Sequence, residues 1–74
     1  MELTVKLFAT LRHGRFKEQV IEFDTEITVD QAIKFLAIPE EEISLIMVNG
    51  ILVNKVHMLK DGDTLALFPP IGGG

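Results

Sequence analysis

At 74 residues, the chain has room for one small domain built around one hydrophobic core. With no cysteine, that core forms without disulfides from a chain that is 47% hydrophobic, and thiolate metal sites, iron–sulfur clusters and cysteine nucleophiles are excluded. The net charge of −4 argues against nucleic acid as the main partner, since a phosphate-binding surface needs clustered cations.

Alternation of polar and apolar residues from Glu2 to Leu7 puts Leu3, Val5 and Leu7 on one face, the signature of a half-buried strand. Arg12, His13, Gly14 and Arg15 break the pattern, so Ala9 to Phe16 reads as a loop into a second strand, Glu18 to Phe23, with Ile21 and Phe23 facing inward. The two strands are expected to form a hairpin. Thr28 followed three residues later by Gln31 has the spacing of a capping box and predicts a helix start. Val29, Ala32, Ile33 and Leu36 then make one stripe along a helix of about nine residues, with Pro39 preventing its continuation. Glu40, Glu41 and Glu42 follow as a short, solvated turn.

The run Leu45-Ile46-Met47-Val48 suits a strand covered on both sides. Asn49-Gly50 is a strong hairpin signal and leads into a short strand, Ile51 to Val53. A tight turn at Lys60-Asp61-Gly62-Asp63 precedes the last strand, Thr64 to Phe68, and Pro69-Pro70 ends the ladder because proline has no amide hydrogen. Hairpin, crossover helix and returning strands make a two-layer α+β domain of the β-grasp type, a mixed sheet of four to five strands with one main helix across it. The domain is expected to span residues 1–68, with residues 69–74 as a protruding tail.

No run reaches the roughly 20 apolar residues of a membrane span, and the chain starts directly in a strand pattern without a signal-like core, so a soluble, cytoplasmic protein with no membrane partner is expected. Charge is uneven along the chain: residues 1–20 sum to +2 and residues 21–74 to −6, which favours a basic partner for the later part.

Catalytic constellations are thin. His13 and His57 lie in polar connections without a further ligand at metal spacing, Asp61 and Asp63 read as turn formers, and three consecutive glutamates cannot all face one ion, so no metal site is expected. The remaining feature is Phe68-Pro69-Pro70-Ile71-Gly72-Gly73-Gly74. Prolines stiffen the departure from the sheet, and residues without a Cβ present the thinnest possible backbone to a narrow channel. Fully extended, residues 69–74 would reach about 20 Å, far enough to place a terminal carboxylate inside another protein.

Lys6-Leu7-Phe8-Ala9, Val48-Asn49-Gly50, Leu59-Lys60-Asp61-Gly62-Asp63 and Phe68-Pro69-Pro70-Ile71 before Gly73-Gly74 together resemble the ubiquitin-like sulfur carriers of the MoaD/ThiS type, most closely the small subunit of molybdopterin synthase. The resemblance covers essentially the whole chain. It implies a carrier that is not itself an enzyme and binds no cofactor. Its Gly74 carboxylate would be adenylated with ATP by an adenylyltransferase similar to ubiquitin-activating enzymes, then converted to a thiocarboxylate. The sulfur would pass to the pterin dithiolene inside the large synthase subunit. Gly74 is then the acceptor and Gly73 the residue that must fit, while Phe8, Leu52 and Phe68 match the family's hydrophobic docking surface and Pro69, Pro70, Ile71 and Gly72 carry the tail. By strand parity, Phe8 and Phe68 should face away from the helix. A third glycine is common among thiazole-pathway ThiS proteins, so a thiazole synthase is the alternative partner. A ubiquitin-like protein modifier and a non-covalent interaction module are the readings from other classes.

Overall fold

The computed structural model describes residues 1–70. Alternation in β1 (Glu2–Leu7) sends Leu3, Val5 and Leu7 to one face, where all three are fully buried. β2 (Glu18–Glu22) pairs antiparallel with β1, Glu2 opposite Glu22 and Lys6 opposite Glu18, which is the expected hairpin. Ile21 and Phe23 are half-buried and pack against the core from the sheet edge. β3 (Leu45–Val48), β4 (Ile51–Leu52) and β5 (Thr64–Phe68) complete a mixed five-stranded sheet in the order β2-β1-β5-β3-β4. β5 runs parallel to β1, so the first and last strands lie side by side at its centre. Leu65 and Leu67 face the same side as Val5 and Leu7, and α1 (Val29–Phe35) closes that side with Val29, Ala32 and Ile33.

The helix begins as its sequence predicts. The Gln31 amide donates to Thr28 Oγ1 at 3.2 Å, and the Thr28 amide donates to Gln31 Oε1 at 2.8 Å. Two further amides of the first turn, Val29 and Asp30, donate to the carbonyls of His57 and Lys55, so the segment after β4 completes the cap. The helix ends at Phe35 with Leu36 as its cap, three residues short of Pro39 counted from that cap, and proline is not what ends it. Ala37 takes a left-handed φ of 57°, its amide donates to Lys34 O, and the Ile38 amide donates to Ile33 O. This is a Schellman stop, and it tucks Ile38 into the same core as Ile33. Because a Cβ disfavours this conformation, Ala37→Gly is expected to raise stability by about 0.5–1 kcal/mol in urea unfolding.

β3 departs from the expectation of a strand covered on both sides. It lies between β5 and β4, with Val48 buried and Ile46 packed on the core, yet Leu45 is exposed and Met47 half-buried on the opposite, open face. Its unbroken apolar run therefore serves two different surfaces.

Asp63 does more than form a turn. Its carboxylate accepts the Lys60 amide at 2.8 Å and the Asn49 side-chain amide at 2.9 Å, while Asn49 Oδ1 accepts the Thr64 amide. The Asn49-Gly50 hairpin and the Lys60–Asp63 turn are thereby locked together at one end of the sheet, and Asp61 accepts the Glu2 amide beside them at 2.7 Å. Asp63→Ala is expected to cost about 2 kcal/mol, the scale of losing charge-assisted hydrogen bonds that are partly solvated. Thermal unfolding should then begin about 10 °C lower.

Candidate functional site

The C-terminal ends of β1 and β5 coincide because the strands are parallel, and the tail leaves from that end. The Phe8 amide donates to Leu67 O and the Ser44 amide to Phe68 O, so pairing persists to the last residue before the prolines. Phe8 and Phe68 are thus adjacent on the face away from α1, and their rings stack with centroids 4.3 Å apart and planes 12° from parallel. Both rings are half-buried.

Register shows what surrounds them. Leu45 lies opposite Phe68, and Met47 lies opposite both Ala66 and Leu52, so all of these project to the open face. Leu52 is 61% exposed and Leu45 40%. The structure thus places Phe8 and Phe68 on the face away from the helix, as the parity argument expects, with Leu52 on the same surface, and adds Leu45 and Met47. Beside the tail base this surface deepens into a groove of about 400 Å³ lined by Phe8, Leu45, Phe68, Pro69 and Pro70 among others.

A second, more polar concavity of about 740 Å³ lies across the same prolines, lined by Thr10, His13, Arg15, Glu41 and Glu42. Arg15 donates to Leu11 O at 3.1 Å and reaches Glu42 at 3.9 Å, joining the 3-10 turn Ala9–Arg12 to the 3-10 turn Glu40–Glu42. Glu40 pairs with Lys55 and raises that ammonium's pKa above its ordinary value, by hydrogen bond first and charge second. Charge at the tail base is therefore of both signs, with cations from the β1 side and acids from the β3 side. The −6 balance of residues 21–74 does not describe this neighbourhood, because Glu22, Asp24, Asp61 and Asp63 lie toward the opposite end of the sheet.

His13 and His57 sit on separate connections, and no group of three potential metal ligands occurs among the described residues. No helix among them is long and apolar enough to cross a membrane. Ile71, Gly72, Gly73 and Gly74 lie outside the described residues.

Residues 5–74 match the model of the ThiS family. The chain belongs to that family. No curated protein matches the sequence. Among solved structures, SAMP1 from Haloferax volcanii is 27% identical with a TM-score of 0.79, each chain covered in full. A candidate molybdopterin converting factor subunit 1 from Pyrococcus furiosus is 29% identical with a TM-score of 0.76, covering 96% of this chain and 99% of that one. Subunit 1 in a complex of molybdopterin-converting factor subunits 1 and 2 from Helicobacter pylori shares the fold, at 24% identity and a TM-score of 0.69 with both chains covered in full. This ThiS-family chain thus has the ubiquitin-like β-grasp fold of the MoaD/ThiS-type sulfur carriers.

Proposed function

We propose that this chain carries sulfur as a thiocarboxylate on Gly74 and donates it in molybdopterin synthesis, acting as the non-catalytic small subunit of the synthase. The observation that carries the reading is positional: in a ThiS-family fold, the open apolar face lies directly at the base of a Pro-Pro-Ile-Gly-Gly-Gly tail. A partner that grips Phe8, Phe68, Leu45 and Leu52 holds the body still while the narrow tail enters its interior. The likeness to the Pyrococcus furiosus protein and the Phe68-Pro69-Pro70 junction support the molybdopterin branch.

The chemistry explains the need for partners. A free α-carboxyl, with a pKa of about 3.5, is ionised at neutral pH and resists nucleophilic attack. An adenylyltransferase joins the Gly74 carboxylate oxygen to the α-phosphorus of ATP and releases pyrophosphate. A sulfur nucleophile then displaces AMP from the carbonyl carbon. The resulting thiocarboxylate needs no cysteine in the carrier. In this reading ATP, the activating groups and the acceptor site all belong to partner proteins, the second being the large synthase subunit, and the setting is the cytoplasm. Delivery to a thiazole synthase would use the same terminus and the same face.

Intact-mass spectrometry of the chain from its native host tests the proposal. One oxygen replaced by sulfur at Gly74 supports it, and recovery of a pterin-binding synthase subunit rather than a thiazole synthase names the branch. A second reading, protein modification through an isopeptide bond at Gly74, draws support from the likeness to SAMP1, whose Haloferax volcanii namesake is described as a small archaeal modifier protein. Lysine conjugates without any thiocarboxylate would favour it and overturn the carrier.

A further inference from the structure

One edge of the apolar face is cationic. Lys6 projects from β1 to the open face in the row of Ala66, Met47 and Leu52, and Lys17 lies just before the β2 residue paired with it. Together with Arg12 they line a small groove against Phe8. Arg12 is fixed there twice: its Nε donates to Leu7 O at 2.7 Å, and its guanidinium carbon lies 5.5 Å from the centre of the Phe8 ring. Arg12, Phe8 and Phe68 therefore form a continuous stack that ends at the tail base.

None of the ion pairs among the described residues uses Lys6, Arg12 or Lys17. The one acid lining this groove is Glu18, which also lies opposite Lys6. The rim thus carries excess positive charge beside an otherwise apolar surface. A guanidinium held by a backbone carbonyl and an aromatic ring has lost its side-chain freedom before any partner arrives, so pairing it costs little further ordering.

We infer that the adenylyltransferase receiving this tail presents an apolar patch flanked by carboxylates, and that these meet Arg12 and Lys17 on the β1 side of the tail base. The inference rests on the carrier reading and names the chemistry of its docking partner. It reverses what the chain's acidic balance suggests, because the local field at the docking edge is positive where the overall charge is −4. Rim charges act mainly on encounter, so the association rate and its salt dependence are the quantities they govern.

The test is stopped-flow association of the full chain with its adenylyltransferase across a salt series, using Arg12→Glu and Lys17→Glu. Lys17 is exposed and its side chain makes no hydrogen bond or ion pair among the described residues, so its reversal leaves folding intact even if loss of the Arg12 stack does not. Each reversal is expected to slow association about tenfold at low ionic strength, with the difference fading toward high salt. Lys17→Gln should fall between. Unchanged or faster association of Lys17→Glu, in a chain that still becomes a thiocarboxylate, overturns the acidic flank alone. Failure of the unaltered chain to bind or be activated overturns the carrier reading beneath it.

Discussion

Removal of Gly74 is expected to leave folding unchanged while thiocarboxylate formation falls by more than about 100-fold. The shortened chain still ends in a glycine carboxylate, so the loss tests position and not chemical type. One residue fewer withdraws the reacting carbon by about 3.3 Å, and misplacement by even about 1 Å costs on the order of 100-fold where a site depends on alignment. Folding should not follow, because every buried core side chain among the described residues lies between Leu3 and Leu67. Thermal unfolding and single-turnover activation, measured on the same preparation, separate the two effects. Gly73→Val should give a related loss by adding a branched side chain to the thin tip while keeping its length. Sulfur transfer at the normal rate in the shortened chain would refute the terminal assignment.

Phe68→Ala is expected to weaken binding to the activating enzyme by about 30-fold, the scale of truncating an aromatic anchor worth about 2 kcal/mol. The fold should survive at reduced stability. The stack on Phe8 is worth about 0.5–1.5 kcal/mol beyond its buried area, and the backbone pairing of Phe68 with Leu45 remains. Phe8→Ala should resemble it, and the double variant should lose less than the sum, since either change alone breaks the same stack. Val20→Ser, on the same open face but at the far edge of the sheet, should bind normally. Titration calorimetry and urea unfolding on the four variants and the unaltered chain distinguish a docking surface from a packing defect. Equal affinity of Phe68→Ala and the unaltered chain would remove the open face from the site.

Much of this architecture is legible in the residues because each signal is local. Alternation in β1, the Thr28–Gln31 box and the Asn49-Gly50 turn act within a few residues, and each forms as expected. The open apolar face was partly legible, as parity alone sends Phe8 and Phe68 away from the helix. Leu45 and Met47 escaped because an unbroken apolar run conceals which of its members face the core. The stop at Ala37 was hidden for another reason: a left-handed alanine is held by hydrogen bonds and by burial of Ile38, and its identity gives no hint of that. The cationic rim was the least legible. Lys6, Arg12 and Lys17 become one surface only when β1, the first 3-10 turn and the start of β2 are folded together, and a running charge count averages them with residues at the other end of the sheet.

The parallel pairing of β1 with β5 has a bearing on biosynthesis. The strand that bears the tail is the last of the five to be synthesised, yet it occupies the middle of the sheet, between β1 and β3. A nascent or prematurely terminated chain without it has two separate β-ribbons and exposes the inward leucines of β1, so no native core can close until the final strand arrives. Synthesis of β5 and closure of the core are therefore one event. The topology makes β5 a checkpoint, and the open apolar face beside the tail base is assembled only in chains whose synthesis has already passed that strand.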